Sequence, residues 1–255
     1  MPASSVALVT GGARRIGRAL ALALAADGWD IAIHYGRSKR DAQSTVAQVE
    51  ALGRRAVALP CDLANERAVR GLLARVKPAL GAVRCVVNNA SLFEFDDVRR
   101  FTVARHARLA AVNLGAPVLL ARALAAQLPR GAQGVVVNLL DQKLFNPNPD
   151  FFAYTLTKAA LEHATTLLAQ ALAPRVRVVG VAPGITLRSG SQSRTGFERA
   201  HGRTPLGRSS TPEDIAAAVV YLARARAVTG TTLLVDGGQH LIASPRDIMF
   251  LTEKQ

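Results

Sequence analysis

The 255 residues predict one α/β domain on a seven-stranded parallel sheet, doubly wound with helices on both faces. Three observations predict it. Short apolar runs alternate with helix-like segments along the chain. These runs are continuous, not alternating, which marks strands buried on both faces. No internal repeat, low-complexity tract or linker interrupts 1–255, so the chain reads as a single domain.

In chain order, residues 6–10 read as a short buried strand. A glycine-containing turn follows, then an Ala- and Leu-rich helix over 16–27 that Gly28 is placed to stop. Residues 31–35 form the second strand, 39–52 a polar amphipathic helix and 55–60 the third strand. A helix over 65–77 precedes the strand 83–88, and a helix-rich stretch covers 102–128. The fifth strand is 135–140, followed by a helix over 152–173 and the sixth strand 176–181. A helix over 212–225 and the strand 232–235 complete the sheet. Thr211 is a good N-cap for that last helix, Pro212 suits its first position, and Glu213 and Asp214 favour its positive end. This acidic cluster is therefore structural. Residues 186–209, rich in Ser, Gly, Arg and Thr around an isolated Phe197, read as a long functional loop, a lid beyond a strand's carboxyl end. The run 245–255 either packs on a neighbouring subunit or closes over a pocket.

Hydrophobic residues make up 49% of the chain, which argues against disorder. No run has the uninterrupted apolar length of a membrane span, and no basic leader with a cleavage site opens the chain, so a cytoplasmic location with no membrane partner is expected. Cys61 and Cys85 sit in apolar runs and read as reduced core thiols. The five histidines show no metal-ligand spacing. The net charge of +14 comes from arginines scattered over every segment, without a basic tail or interleaved aromatics, so a nucleic-acid partner is not expected.

The turn Thr10-Gly11-Gly12-Ala13-Arg14-Arg15-Ile16-Gly17 joins the first strand to the first helix. Glycine lets the backbone turn tightly and approach a pyrophosphate facing the helix N-terminus. The second strand ends in His34-Tyr35-Gly36-Arg37-Ser38 instead of an acidic residue. A carboxylate there would hold the ribose hydroxyls of NAD and repel a ribose phosphate. Arg37 and Ser38, with Arg14 approaching from the turn, would bind that phosphate, so NADP(H) is the expected cofactor. Tyr154 and Lys158 are four apart on a helix and share one face. A nearby ammonium stabilises a phenolate. Lowering the phenol by about three pKa units takes roughly 4 kcal/mol of differential interaction.

With these residues in view, the chain resembles the short-chain dehydrogenase/reductase family over nearly its whole length. The similarity rests on Thr10-Gly11 through Gly17, Asp62-Leu63, Asn88-Asn89-Ala90, Asn113, Tyr154-x-x-x-Lys158, Pro183-Gly184 and Asp236-Gly237-Gly238. The resemblance implies a Rossmann-type fold and a homotetramer. It implies that Asp62 and Leu63 touch adenine, that Asn89 and Ala90 lie along the ribose, and that Ile16, Pro183, Gly184 and Thr186 also meet the cofactor. It further implies that Asn113 supports a proton relay through water and that Lys158 holds the nicotinamide ribose.

Two departures from that pattern resemble the pteridine reductases. Arg15 stands where most members carry glycine, and Asp141, thirteen residues before Tyr154, stands where most carry serine. An ionised aspartate cannot donate to a substrate carbonyl as a serine hydroxyl does. The segments His34-Tyr35-x-Arg37-Ser38 and Asn89-Ala90-Ser91-Leu92-Phe93 are also similar to that subgroup. There the resemblance implies that Ser91 contacts cofactor phosphate and substrate, that Phe93 stacks on a pterin, and that Arg15 reaches a pterin oxygen or the cofactor phosphates. The expected function is NADPH-dependent reduction of a dihydropterin or dihydrofolate, with Asp141, Tyr154 and Lys158 handling the proton. A carbonyl or imine reductase of the same fold is the alternative. A non-catalytic nucleotide sensor or nucleic-acid-binding regulator is the alternative from another class.

Overall fold

The computed structural model describes residues 5–190 and 192–252. Residues 1–4, read above for a leader, Ser191 within the segment 186–209, and the end of the tail, 253–255, lie outside the described residues. The chain runs β1 (Val6–Val9), α1 (Arg15–Ala26), β2 (Asp30–Tyr35), α2 (Lys39–Ala51), β3 (Ala56–Pro60), α3 (Glu66–Arg70), α4 (Leu72–Leu80) and β4 (Val83–Asn88). It continues through α5 (Val103–Ala110), α6 (Ala116–Gln127), β5 (Gly134–Leu139), α7 (Phe152–Leu172), β6 (Val176–Pro183), α8 (Arg194–Gly202), α9 (Pro212–Arg224), β7 (Thr232–Val235) and α10 (Ile248–Thr252).

The described strands form one seven-stranded sheet in the order β3-β2-β1-β4-β5-β6-β7, and every neighbouring pair is parallel. The continuous apolar strands have the predicted cause. Along β1, Ala7 and Val9 join a core shared with α1 and α9, while Val6 and Leu8 join a second core shared with α4 and α6. Successive side chains thus enter opposite layers, and both layers exclude water. Leu20, Leu24, Leu120 and Leu124 are wholly buried in these layers, each stabilising the fold by roughly 1.5–3 kcal/mol. The order reverses between β1 and β4, and a crevice opens at the strands' carboxyl ends there, where an open α/β sheet binds its ligand.

Four expectations need correction. The helix predicted over 65–77 breaks at Gly71 into α3 and α4. The stretch 102–128 is interrupted by a π turn, Ala111–Gly115. Segment 186–209 is not all loop: α8 lies inside it, with the Ser193 hydroxyl accepting from Gly196 N–H at 2.9 Å. And one run, Val103–Gln127, is long and apolar enough by composition to cross a membrane, with a mean hydropathy of 1.7. Its interior residues, Leu109, Leu120 and Leu124, are buried within the domain. The acidic cluster at the start of α9 is structural as expected. Thr211 Oγ1 accepts from Asp214 N–H at 3.3 Å while the Asp214 carboxylate accepts from Thr211 N–H at 2.9 Å, a reciprocal cap worth about 1 kcal/mol. Both cysteines are free and buried, and burial pushes the Cys85 thiol up to about 12.

Candidate active site

A cleft of about 650 Å³ lies at the carboxyl ends of β1, β2, β4, β5 and β6. The β1–α1 turn forms its floor. Gly11 has φ +63°, and a Cβ on Gly17 would sit 2.1 Å from the Gly11 carbonyl oxygen, so neither position accepts a larger residue without distortion. Arg15 adopts φ +54°, a left-handed conformation that normally favours glycine. Its guanidinium donates to the Arg188 carbonyl at 2.9 Å, tying the turn to the segment after β6. Thr10 and Asn89 join the turn to β4: Asn89 Nδ2 donates to the Thr10 carbonyl at 2.9 Å, and Asn89 N–H donates to Thr10 Oγ1 at 2.9 Å.

The same cleft is lined by Arg14, Ile16, Tyr35, Arg37, Ser38, Ala90, Ser91, Pro183, Gly184 and Thr186. Arg14 and Arg37 are exposed and have no ion-pair partner among the described residues. Ser38 begins α2 without capping it through its hydroxyl. Free cations, a free hydroxyl and a glycine cradle fit a phosphorylated dinucleotide. Gly184 is similarly constrained, since a Cβ there would lie 2.5 Å from Ser209 Oγ. Asp62 and Leu63 follow β3 beside this end but do not line the cleft. Asp62 caps its own turn, accepting from Ala64 N–H at 3.0 Å.

At the other end, β5 delivers Asp141 and α7 delivers Tyr154 and Lys158. Tyr154 Oη donates to Asp141 Oδ2 at 3.0 Å, and Lys143 N–H donates to Asp141 Oδ1 at 2.9 Å. Lys158 Nζ donates to the Leu139 carbonyl at 2.7 Å and lies 5.7 Å from the centre of the Tyr154 ring. Burial, and then the charge of Asp141, holds the Tyr154 phenol well above its ordinary value. This corrects the expectation that Lys158 would lower it. The carboxylate is hydrogen-bonded to the phenol, whereas the ammonium is anchored to a backbone carbonyl. Burial likewise raises the Asp141 carboxyl and lowers Lys158 to about 8. One proton thus lies between Tyr154 and Asp141 in a partly buried hydrogen bond.

Asn113 sits in the π turn, buried behind the cleft. Its Oδ1 accepts from Leu92 N–H at 2.8 Å and Ser91 Oγ at 3.2 Å, while Nδ2 donates to the Leu92 carbonyl and Thr157 Oγ1, both at 3.0 Å. The amide is saturated. What it does for the site is to fasten the Ser91–Leu92 loop to α7. Phe93, beyond that loop, stacks on Phe151 with centroids 4.2 Å apart and meets Tyr154 edge-on at 4.8 Å. It remains 44% exposed toward the cleft.

The model of the enoyl-(acyl carrier protein) reductase family matches residues 11–240. The chain is a short-chain dehydrogenase/reductase. It is 42% identical to FolM alternative dihydrofolate reductase 1 from Brucella canis, crystallised with NADP, covering 95% of this chain and 96% of that one with a TM-score of 0.88. It is 36% identical to the L-rhamnose 1-dehydrogenase (NAD(P)(+)) of a Sphingomonas species, over 92% of this chain and 95% of that protein. It is 30% identical to the 3-oxoacyl-[acyl-carrier-protein] reductase FabG of Staphylococcus aureus, over 94% of this chain and all (100%) of that protein.

Three titratable groups of this short-chain dehydrogenase/reductase were given no role from the sequence. His34 is buried between the glycine turn and β3. Its Nδ1 accepts from Gly11 N–H at 3.0 Å, so its Nε2 carries the proton given to the Cys61 carbonyl at 3.0 Å. Burial lowers its pKa and keeps this tautomer neutral. Lys143 is buried below Asp141 and donates to the Asp150 carbonyl. Asp247 lines the cleft 3.8 Å from Lys143 Nζ. Only Asp247's place in the tail could have been signalled: the described tail folds over its own cleft. Arg246 grips Asp150 through bonds of 2.7 and 3.1 Å, and Phe250 packs on Phe95 and Phe151.

Proposed function

We propose that this short-chain oxidoreductase is an NADPH-dependent reductase of a dihydropterin or dihydrofolate. The observation that carries this reading is the Tyr154–Asp141 hydrogen bond of 3.0 Å, with a carboxyl group where a ketone reductase needs a hydroxyl donor. The 42% identity to a FolM alternative dihydrofolate reductase crystallised with NADP supports both the substrate class and the cofactor.

Gly11, Gly17, Arg14, Arg37 and Ser38 would hold the phosphates of NADPH, and Lys158 its nicotinamide ribose; when bound, the cofactor supplies the hydride. Reducing a C=N bond puts a hydride on carbon and a proton on nitrogen. The Asp141–Tyr154 pair holds that proton at the ring nitrogen and acts as one titrating unit. An ionised Asp141 also repels the negative charge that would grow on a ketone oxygen, which disfavours carbonyl substrates. Phe93 offers a flat face beside Tyr154, so a planar ring stacked there is oriented for attack.

The test is NADPH oxidation by the purified protein with dihydrobiopterin, dihydrofolate, and a panel of ketones, imines and quinones. Turnover confined to the pterin and folate substrates is the expected result. Turnover of carbonyls or imines alone would assign the alternative reductase. Silence with every substrate, joined to salt-sensitive DNA binding, would assign the non-catalytic regulator.

A further inference from the structure

The cleft contains two glutamine side chains that the proton chemistry does not use. Gln142 follows Asp141 directly, in the short 3-10 turn Gln142–Leu144 after β5. Gln192 lies in the segment between β6 and α8, the one that Arg15 of the glycine turn holds through the Arg188 carbonyl. Both line the cleft that holds Asp141, Tyr154 and Phe93. Gln142 is 8% exposed and Gln192 4%. Yet Gln142 Oε1 and both Gln192 amide atoms, Oε1 and Nε2, are buried without a hydrogen-bond partner. A native fold rarely leaves such atoms unpaired, because the amide loses its water and gains nothing in return. The loss is recovered when a ligand supplies the partners.

We propose that Gln142 and Gln192 read the hydrogen-bonding edge of the substrate, and that this edge belongs to a planar heterocycle carrying adjacent N–H and C=O (or amino and ring-nitrogen) groups. A primary amide presents one donor and one acceptor side by side. It pairs in two bonds with such an edge, as Asn and Gln do with adenine. The amide can turn over to match either order of donor and acceptor, and with both Gln192 atoms unpaired nothing in the protein fixes its sense. Simple ketones and aliphatic imines lack this edge and would leave the amides unpaired, so the pair selects by rejection as well as by attraction. Gln142 stands at the Asp141 end of the cleft, away from the Arg14–Arg37 end that fits phosphate, which places its partner on the substrate.

This assignment rests on the pterin reading but is tested by binding instead of turnover. The protein saturated with NADP⁺ is titrated with biopterin by calorimetry, as wild type, Gln192→Leu and Gln142→Leu. Leucine keeps nearly the same volume, and melting temperatures report whether each variant folds. The expected result is biopterin affinity weakened about tenfold or more in each variant, since one or two neutral hydrogen bonds are lost, with NADP⁺ affinity within about twofold of wild type. Unchanged biopterin affinity would overturn the proposal. So would loss of NADP⁺ affinity, which would give the amides to the cofactor. Wild-type protein that binds biopterin but does not reduce dihydrobiopterin would defeat the proposed function and leave the glutamine assignment standing. Wild-type protein that reduces dihydrobiopterin while the variants bind biopterin normally would do the reverse, and failure to bind biopterin at all would sink both.

Discussion

Tyr154 is a weak acid made weaker, since burial and the Asp141 carboxylate both oppose its ionisation. A phenol held so far up keeps its proton before reaction but parts with it less readily, which is why the proton is assigned to the Tyr154–Asp141 pair and not to the phenol alone. Tyr154→Phe is expected to lower turnover by about 10²–10⁴-fold while leaving the NADPH dissociation constant, read by fluorescence titration, near wild type. Lost cofactor binding would mean that the ring is structural. Lys158 sets the alkaline side. Its pKa is lowered to about 8 by burial, so its charge is present below that pH and lost above it. The rate should fall as pH rises through about 8, and a profile flat well beyond that would remove the ammonium from the reaction. Arg37 is the residue proposed to favour NADPH over NADH. Arg37→Ala should weaken NADPH far more than NADH in parallel titrations, and equal losses would exclude a phosphate contact. Tyr154, Lys158 and Arg37 were readable in the sequence because each belongs to a local pattern. His34 and Lys143 were not, because their partners lie far along the chain: Gly11 and Cys61 for His34, Asp247 for Lys143. Gln192 was not, because what marks it is a buried amide without a partner.

Elements with a strong local period were legible, and those built from single tertiary contacts were not. The Thr211 cap and the buried strands announce themselves through capping chemistry and continuous apolar runs. α10 spans only Ile248–Thr252, too short to show a helical period. It is held by Phe250 against Phe95 and Phe151, by Arg199 donating to the Thr252 carbonyl, and by Arg246 on Asp150. The tail that could have served a neighbour therefore covers its own cleft. Arg246→Ala should loosen it. The expected signature is faster amide exchange over 246–252 and, for the pterin substrate proposed above, a KM raised severalfold with little change in kcat. Unaltered exchange in that segment would show that aromatic packing alone holds the tail. The π turn is a second case. Nothing in 111–115 marks it in the sequence, yet it seats Asn113 where one amide holds four partners.

At the scale of the molecule, Val103, Leu156 and Leu167 are large apolar side chains left exposed on α5 and α7, two helices packed against each other. We propose that this face is covered in a homotetramer, the assembly that the family resemblance implies. Light scattering on the eluted peak should give four times the chain mass. Arg or Glu at Leu167 should shift it to a smaller species, and a monomeric wild type would refute the assembly.

The sequence by itself determined the doubly wound sheet, the glycine turn after the first strand and the Tyr154–Lys158 face. Strand burial, glycine turns and helical spacing are written within a few neighbouring residues, and parallel strands joined by helices leave few ways to connect them. Only the tertiary structure decided how the site is charged and closed. It set Asp141 against Tyr154 and so reversed the expected direction of the phenol's pKa. It turned Phe93 onto Phe151, folded the tail over the cleft and left the amides of Gln142 and Gln192 buried in its wall with atoms unpaired. A pKa depends on which groups desolvate and face one another, and a closed pocket depends on contacts between residues far apart in the chain. Neither is carried by local sequence.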